Sequence, residues 1–338
     1  MKKALITGVT GQDGSYLAKF LLNKGYKVYG TRRRTSTPNT WRLRYLGVLN
    51  NKNFELLVSD VTDLGDSIRL LENCDPDEIY NLAAQSFVST SFYQPKLTAE
   101  ITGLGTLTIL EAIRNFNKNI KFYQASSSEM FGKVKEIPQN ENTKFYPRSP
   151  YAVSKLFAHW TAINYRESFD IFTTCGILFN HESPLRGEEF VTKKITKGLA
   201  RIKMGKQEVL TLGNIYSRRD WGHAKDYVEA MWRMLQVETP DDYVIATGRT
   251  ENIKTFVDLT CKKLGFDFSW VGEGKNEECI NVKTGKPLVK INEAFFRPNE
   301  VDLLIGDSSK AEEKLNWKTK STLEELCCEM VDFDLKNL

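Results

Sequence analysis

The chain has 338 residues, of which 41% are hydrophobic and 27% are charged, the composition of a globular protein with room for one large domain and a smaller lobe. Its net charge of +4 is small and its basic residues are scattered apart from one run of three arginines, which argues against a nucleic-acid-binding protein. The N-terminus lacks a signal-peptide core and no apolar run could span a membrane, so we expect a cytoplasmic protein. The six cysteines lack Cys-x-x-Cys spacing and histidine partners, so we expect reduced thiols and no metal site.

The chain opens with a short apolar strand that runs into a glycine-rich turn. Residues 4–7 form the strand, and apolar residues recur at helical spacing from Tyr16 until Gly25. The turn between them consists of Gly8, Val9, Thr10, Gly11, Gln12, Asp13 and Gly14. Such glycines permit a sharp bend and close approach to a pyrophosphate, and the helix N-terminus favours the anion. The Gly-x-x-Gly-x-x-Gly spacing differs from the Gly-x-Gly-x-x-Gly of many dehydrogenases, but its place between strand and helix predicts a dinucleotide site.

The end of the second strand bears on the choice of cofactor. Residues 27–30 read as this strand, and Thr31, Arg32, Arg33 and Arg34 follow it. An acidic residue here would bind the ribose 2′-hydroxyl of NAD, whereas guanidinium groups suit the 2′-phosphate of NADP. The arginines therefore favour NADP, and a solvated basic loop is the alternative.

Strands and helices continue to alternate up to about residue 180. Further strands are predicted at residues 54–58, 78–82, 121–125 and 171–178, with a helix over residues 98–116. This alternation predicts an α/β fold built on a Rossmann-like, doubly wound parallel sheet. Residues at the carboxyl ends of such strands line the ligand crevice. They include Asp60, Val61, Ala83, Ala84, Gln85 and Ser86.

The candidate catalytic residues follow the strand at residues 121–125. This strand is followed by Ser126, Ser127, Ser128 and Glu129. A helix that begins near Tyr151 and Lys155 is predicted to reach Phe169. A tyrosine and a lysine four apart share a helix face, so the ammonium favours the phenolate. Lowering a phenol pKa from about 10 to near 7 needs roughly 4 kcal/mol, which this cation and an oxidised nicotinamide would supply together. The spacing alone does not identify a catalytic pair, because Tyr29 and Arg33 have the same spacing.

Past Asn180, glycines and prolines interrupt the pattern and polar or basic residues gather in short groups. These groups are residues 180–182, 191–194, 218–221 and 297–300. We expect residues 1–180 to form the dinucleotide-binding domain and residues 181–338 to form mainly a smaller C-terminal lobe that binds an anionic substrate. The pattern does not define this boundary sharply, and it allows the chain to cross between the two lobes more than once.

The motifs taken together resemble those of extended short-chain dehydrogenase/reductases, many of which act on nucleotide-linked sugars. The resemblance lies in Gly8-x-x-Gly11-x-x-Gly14, Asp60-Val61, Asn81-Leu82-Ala83-Ala84 and Tyr151-x-x-x-Lys155. Longer blocks narrow it to the GDP-mannose 4,6-dehydratases. These blocks are residues 128–132, 145–155, 180–184, 219–228 and 297–304. The resemblance runs from the first strand to about Trp317.

This resemblance implies roles for individual residues. The implied catalytic residues are Ser127, Glu129, Tyr151 and Lys155. The implied NADP contacts are the turn from Gly8 to Gly14, Arg33, Asp60, Val61, Leu82, Ala83, Ala84, Gln85, Ser86, Lys155, His181 and Arg186. The implied contacts to the GDP-linked sugar are Ser86, Asn180, Val191, Lys193, Arg219, Arg297 and Glu300. The family also implies a homo-oligomer, a tetramer.

The implied reaction starts with oxidation, because a ketone at C4 of the hexose acidifies the C5 proton. Tyr151, activated by Lys155 and hydrogen-bonded through Ser127, would accept the C4 hydroxyl proton while hydride passes to NADP+. Glu129 would then remove the C5 proton and protonate the leaving C6 hydroxyl, before hydride returns to C6. An epimerase or a GDP-sugar reductase shares the tyrosine and lysine but does not need Glu129, and a silent NADP-sensing regulator needs none of the three.

Departures from the family pattern mean that the motifs do not decide which GDP-linked sugar is the substrate. Phe87 stands where the family commonly has histidine, Ser127 replaces the commoner threonine, and residues 215–217 replace a more polar stretch. The main expectation is GDP-mannose, and the alternative is GDP-manno-heptose, whose extra hydroxymethyl group at C6 needs room and a less polar wall. Plainer roles are the alternatives: Ser127 as a helix cap or turn former, Glu129 as a solvated carboxylate and Tyr151 as a packed residue at the start of the helix.

Overall fold

The computed structural model of the protein describes residues 1–296 and 303–338. Its strands are β1 (Lys3–Thr7), β2 (Lys27–Arg32), β3 (Phe54–Val58), β4 (Glu78–Asn81), β5 (Lys121–Ser127), β6 (Thr173–Leu178), β7 (Asn180–Glu182), β8 (Leu210–Leu212), β9 (Arg218–Arg219), β10 (Trp221–His223), β11 (Asp242–Ile245), β12 (Glu251–Asn252), β13 (Phe268–Val271), β14 (Glu278–Asn281) and β15 (Pro287–Ile291). Its α-helices are α1 (Gln12–Asn23), α2 (Trp41–Tyr45), α3 (Leu64–Cys74), α4 (Val88–Tyr93), α5 (Pro95–Thr98), α6 (Gly105–Phe116), α7 (Pro150–Phe169), α8 (Val191–Lys203), α9 (Ala224–Met234), α10 (Ile253–Leu264), α11 (Ser309–Leu315) and α12 (Leu323–Asn337).

The central sheet has seven strands in the order β3-β2-β1-β4-β5-β6-β11, and every neighbouring pair in it is parallel. The chain runs outward from β1 to β3, returns to the middle at β4, and continues to the opposite edge. The loops after β1 and β4 therefore diverge and leave a crevice at the carboxyl ends of the strands. The predicted Rossmann-like, doubly wound sheet is confirmed.

The helix expected over residues 98–116 is interrupted by a wider turn. A π-helical segment, Ala99–Leu104, connects α5 to α6. This segment packs against α7 so closely that a Cβ atom added at Gly103 would lie 3.2 Å from the Phe157 ring. The wider turn thus occurs where two helices approach each other, a tertiary contact that helical periodicity does not encode.

The smaller lobe pairs a four-stranded sheet, in the order β13-β14-β15-β8, with three helices. The apolar faces of α8, α10 and α12 meet in one core, to which the strands add Leu210, Cys279 and Val289. The helices contribute Ile195, Leu199, Phe256, Val257, Met330 and Val331. This lobe covers one side of the crevice.

The chain returns to the large sheet after residue 180. Strand β11 pairs with β6 at its edge, and Tyr227 and Met231 of α9 share a core with Leu17 and Leu21 of α1. Helix α11 joins the same core through Ala311 and Leu315. The division at residue 180 stays a prediction. The chain passes between the large sheet and the smaller lobe both before and after β11.

All six cysteines carry free thiols. Among residues 1–296 and 303–338, no cluster of His, Cys, Asp and Glu side chains is arranged to hold a metal ion. In the same residues, no helix combines the length and the apolarity needed to cross a membrane.

Candidate active site

A cavity of about 880 Å³ lies at the carboxyl ends of the central strands. It is lined by the loops that follow β1, β2, β3, β4, β5 and β6 and, from the smaller lobe, by the start of α8 and residues near β8 and β10. Most of the residues singled out from the sequence meet here, although they come from distant parts of the chain.

The glycine turn forms one wall of this cavity. Gly8 has φ of +66°, a conformation that residues with a side chain rarely adopt. A Cβ atom added there would lie 3.0 Å from the Ala83 backbone, and one added at Gly14 would lie 2.6 Å from the Cα of Val9. The turn therefore packs directly on the end of β4 and the start of α1, with no space for side chains at Gly8 and Gly14. This cradle fits the pyrophosphate of a dinucleotide.

Asp13 of the turn forms an ion pair with His181, which lies 168 positions away in the sequence. Its Oδ2 is 2.9 Å from His181 Nε2, while His181 Nδ1 donates to the Phe179 carbonyl at 2.7 Å. Burial would raise the pKa of Asp13, but the imidazolium outweighs it and holds that pKa at about 2. Burial would likewise lower the pKa of His181, and the Asp13 carboxylate raises it overall. The pair neutralises the acidic residue of a turn that is suited to phosphate.

The other residues predicted to contact the dinucleotide surround the turn. Arg33, Asp60, Val61, Leu82, Ala83, Ala84, Gln85, Ser86 and Arg186 all line the cavity. Asp60 Oδ1 accepts hydrogen bonds from the Thr62 N–H and hydroxyl at 3.1 and 2.8 Å. These bonds fix the conformation of the loop after β3.

Sequence reasoning missed Arg42, which lines the same cavity. Its Nε donates to the Leu185 carbonyl at 2.7 Å and its guanidinium reaches the Thr10 carbonyl at 3.3 Å. Arg42 therefore ties the glycine turn to the segment that follows β7. The sequence signal is faint, since Arg42 lies in the short helix α2 with no motif around it.

Tyr151 and Lys155 face the cavity from the first turns of α7, which Ser149 caps by accepting the Ala152 N–H at 3.1 Å. The Lys155 ammonium donates to the Ala125 carbonyl at 2.7 Å and lies 5.9 Å from the centre of the Tyr151 ring. The helix start and the end of β5 thus hold the lysine next to the tyrosine, as their spacing predicted.

The pKa values of this pair differ from the expectation. Burial raises the pKa of Tyr151 to about 12, a hydrogen bond with Ser127 opposes the rise, and the Glu129 charge adds to it. Burial lowers the pKa of Lys155 to about 8. We expected the Lys155 ammonium to lower the pKa of the Tyr151 phenol. The protein groups alone do not lower it, because Tyr151 is only 8% exposed and Lys155 only 5% exposed. Burial at this level disfavours the charged forms of both side chains.

Ser127 and Glu129 complete the group. The Ser127 hydroxyl accepts the Glu129 N–H at 3.2 Å, which caps the 3₁₀ turn Ser128–Met130, and it also bonds to the Tyr151 phenol. The turn-forming role and the contact to the tyrosine are therefore both present. Glu129 is partly buried and lines the cavity, so it is not a freely solvated carboxylate.

The residues predicted to bind the sugar nucleotide do not all reach the cavity. Asn180, Val191 and Arg219 line it, as Ser86 does, and the buried Asn180 Oδ1 has no hydrogen-bond partner among the described residues. Lys193 is different, because its ammonium is buried within the smaller lobe, where it pairs with Asp334 and donates to the Pro184 carbonyl at 2.9 Å. The neighbouring Lys194 lines the cavity instead. Arg297 and Glu300 lie outside the described residues.

Comparison with known proteins places this chain in a family. The family model described as GDP-mannose 4,6 dehydratase matches residues 5–330. The chain belongs to the GDP-mannose 4,6-dehydratase family. It is 50% identical over 351 aligned residues to the GDP-mannose 4,6-dehydratase of Yersinia enterocolitica, with 99% of this chain and 94% of that protein covered. It is 52% identical to the GDP-mannose 4,6 dehydratase of Drosophila melanogaster, with 99% and 86% covered.

Solved structures share the fold of this chain. The crystal structure of DesIV, a dTDP-glucose 4,6-dehydratase from Streptomyces venezuelae with NAD and TYD bound, superposes with a TM-score of 0.84 at 21% identity, covering 99% of this chain and 97% of that one. At this identity the likeness establishes the shared fold alone.

Proposed function

We propose that this protein dehydrates GDP-mannose across C5 and C6 to give the GDP-4-keto-6-deoxy sugar. The observation that carries the proposal is the convergence of Ser127, Glu129, Tyr151 and Lys155 on one cavity beside the glycine turn. Glu129 argues against an epimerase or a GDP-sugar reductase of the same superfamily, because neither needs a partly buried carboxylate here. The family match supports the same reading.

Each of these side chains has a task that its geometry allows. Tyr151 would accept the proton of the C4 hydroxyl, with Ser127 bonded to its phenol and Lys155 held by the Ala125 carbonyl. Glu129 would take the C5 proton, which the C4 ketone has acidified, and give a proton to the departing C6 hydroxyl, so that water leaves. Asn180 Oδ1, buried without a partner in the described part of the chain, would accept a hydrogen bond from the substrate.

We propose NADP(H) as the cofactor, held by the glycine turn and by Arg33, with Asp60 and Val61 on the next loop. When bound, the dinucleotide would supply the acceptor for the C4 hydride and its donor to C6 and, as a cation in its oxidised form, would favour the Tyr151 phenolate. Return of the hydride to C6 would leave an enolate, which takes up at C5 a proton equivalent to the one that Tyr151 accepted from the C4 hydroxyl. Because each turnover returns the hydride, the reaction consumes no cofactor overall. We therefore expect the protein to hold NADP(H) tightly between turnovers.

Incubation of the protein with GDP-mannose and NADP+ tests the proposal. We expect a 4-keto-6-deoxy product, which is detected by its absorbance in alkali. A product that keeps its C6 oxygen would favour an epimerase, and no conversion with cofactor still bound would favour a silent regulator.

Replacement of Arg33 by alanine should weaken NADP(H) binding about tenfold to a hundredfold and leave NAD(H) binding almost unchanged, since a charge-assisted contact to phosphate contributes about 1.5–3 kcal/mol. Titration of each dinucleotide into the variant measures this. Arg34→Ala is the matched control, because Arg33 lines the cavity and Arg34 is outside its described lining. Equal weakening of both dinucleotides by Arg33→Ala would remove Arg33 as the reader of the 2′-phosphate.

A second candidate substrate, GDP-manno-heptose, is supported by an apolar wall of the cavity. Phe87 packs edge-to-face on Phe190 with ring centres 5.7 Å apart, and the Arg186 guanidinium stacks 3.6 Å above Phe190. Phe87 and Phe190 both line the cavity. A phenyl ring at position 87 offers no hydrogen bond to a sugar hydroxyl, so this wall suits a larger or less polar substituent.

Phe87→His should shift the ratio of kcat/KM values for GDP-mannose and GDP-manno-heptose at least tenfold toward GDP-mannose, which corresponds to about 1.4 kcal/mol of discrimination. Steady-state rates with both substrates, for parent and variant, measure the shift. A ratio that does not move would show that Phe87 has no part in choosing the sugar.

We also propose that the protein is a homo-oligomer. Helix α7 exposes Val153, Phe157 and Trp160, which lie at helical spacing on one face and are each 45–55% exposed. An apolar stripe of this kind on a helix is typical of an interaction surface. A second copy is the occupant that the family resemblance implies.

Trp160→Glu should therefore shift the protein toward monomer in sedimentation velocity at micromolar concentration, because a charge would be buried in an apolar contact. Met204→Glu is the control, since Met204 is similarly exposed but lies at the end of α8. A parent protein that sediments as a monomer would contradict the proposed assembly.

A further inference from the structure

A buried carboxylate lies directly behind one part of the cavity wall. Asp220 is the single residue between β9 and β10, and its side chain is 0% exposed. The residues on either side of it, Arg219 and Trp221, line the cavity, whereas Asp220 is outside the described lining. A carboxylate in this place does not meet the substrate, so its role has to be sought in the contacts that it makes within the protein.

The Asp220 carboxylate accepts four hydrogen bonds from two other segments of the chain. Its Oδ1 accepts the N–H of Thr247 at 2.9 Å and the hydroxyl of the same residue at 2.7 Å. Its Oδ2 accepts the N–H groups of Gly248 at 3.0 Å and of Gly306 at 3.4 Å. Thr247 and Gly248 belong to the loop between β11 and β12, and Gly306 belongs to the segment before α11. One side chain therefore joins three segments that are far apart in the sequence.

The strand that carries Arg219 depends on these segments for its position. Strand β12 pairs with β9 through two residues only, Glu251 opposite Arg219 and Asn252 opposite Arg218. Leu303 adds one isolated bridge to Arg218. Pairings this short are not stable by themselves. The carboxylate holds both partners of β9 a few residues away from where they pair with it.

Gly306 provides a fixed point for this arrangement. A Cβ atom added there would lie 2.3 Å from the Cβ of Ala246 and 2.8 Å from the Phe179 ring. The backbone of Gly306 is therefore wedged between residues that directly follow β11 and β6. Through its hydrogen bond to Gly306, Asp220 connects the short strand β9 to the rigid central sheet.

We propose that Asp220 is a positioning residue for the substrate, because its ionised carboxylate holds the strand that carries Arg219 in the place where that side chain meets the GDP-linked sugar. The proposal rests on the proposed function. Protonation places a hydrogen on one carboxylate oxygen, which then faces N–H groups that also donate. At least one of the four hydrogen bonds is lost in that state, and the hold on β9 is weakened.

This carboxylate titrates close to neutral pH. Burial raises the pKa of Asp220 to about 6, although its hydrogen bonds oppose the rise. From α9, the Tyr227 phenol senses the Asp220 charge, and burial together with this charge raises the pKa of the phenol, which stays neutral. The other titratable side chains on the surrounding elements, each with hydrogen bonds of its own, are Glu182, Arg219, His223, Asp226, Arg249 and Asp307.

Protonation of Asp220 should affect substrate binding and stability in opposite directions. In the unfolded chain the carboxyl group has its ordinary, lower pKa, so the folded protein takes up this proton first as the pH falls below about 6. This uptake stabilises the fold, while the substrate wall loses its support. A residue with a merely structural role would not separate the two effects.

Calorimetric binding of GDP-mannose to the Tyr151→Phe protein loaded with NADP(H) tests the proposal, because this variant binds substrate without converting it. The diphosphate of GDP-mannose has no proton that titrates near pH 6. The Kd should rise about fivefold to tenfold between about pH 7 and about pH 5, as expected for one required ionisation with a pKa of about 6. The melting temperature should not fall in parallel.

Asp220→Asn, made in the same Tyr151→Phe protein, should bind GDP-mannose about fivefold to tenfold more weakly at pH 7, because an amide NH₂ group faces the N–H donors as the protonated acid does. Its Kd should change less than about twofold with pH, and its melting temperature should be retained. When Arg219→Ala is added, the further loss due to Asp220→Asn should be less than about twofold, because Asp220 acts through Arg219.

The matched control is Asp226→Asn, which changes a buried carboxylate that accepts the N–H groups of Lys320 and Ser321 at 3.0 and 3.1 Å. It should keep the Kd and its pH dependence. An affinity that is constant or rises toward low pH would overturn the inference, even if Asp220→Asn does not fold, and so would an Asp220→Asn protein that binds like its parent. Absence of GDP-mannose binding at every pH would instead overturn the proposed function.

Discussion

Tyr151→Phe should lower kcat by about 10²- to 10⁴-fold, the usual contribution of a positioned general acid or base. Phenylalanine fills the same buried space, so the ring packing of α7 and the melting temperature should be retained. What is lost is the phenol oxygen that bonds to Ser127. Because the first proton transfer fails, neither a ketone nor reduced cofactor should accumulate. Rates of product formation and binding of GDP-mannose to the variant measure the two effects separately.

Tyr146→Phe is a suitable control, since Tyr146 is 52% exposed and precedes α7. It should retain the activity of the parent. More than one tenth of parental activity in Tyr151→Phe would mean that another group accepts the C4 hydroxyl proton.

Glu129→Gln should abolish elimination and leave C4 oxidation partly intact. The amide keeps the size of the carboxylate but is too weak a base for the C5 proton. It also removes a negative charge that raises the pKa of Tyr151, and losing that charge does not by itself hinder the first proton transfer. With substrate deuterated at C4, reduced cofactor and a 4-keto hexose that still bears its C6 oxygen should accumulate. Absorbance of the reduced cofactor and mass spectrometry of the sugar detect them.

The control for this variant is Glu189→Gln, which removes another carboxylate from the cavity lining without touching the serine turn. It should still form the deoxy sugar. Turnover of Glu129→Gln at the parental rate would contradict the assigned elimination mechanism.

Local patterns predicted most of the fold, because the alternation of strands and helices and the glycine turn are sequence-local features. The predicted strand at residues 54–58 coincides with β3, and the predicted helix end at Phe169 is the end of α7. The π-helical turn at Ala99–Leu104 was not predictable in this way, since it accompanies contact with α7. The membership of β11 in the large sheet likewise depends on pairing with β6, far away in the chain.

The site was predictable where residues act through a motif and not where they act through tertiary contacts. Helical spacing alone indicated that Lys155 lies next to Tyr151, but the pKa values of both depend on burial. The ion pair between Asp13 and His181 joins two loops that only the fold brings together. Of two adjacent lysines, the sequence could not tell that Lys193 faces the interior of the lobe.

The transfer of deuterium within the sugar tests the central claim most directly. GDP-mannose deuterated at C4 should be incubated with the protein and unlabelled NADP+, and the position of the label in the product should be read by NMR. A 4,6-dehydratase moves hydride from C4 to C6, so we predict a 4-keto-6-deoxy sugar with deuterium in its C6 methyl group. A product that retains deuterium at C4, or one with an intact C6 hydroxyl group, would contradict the account.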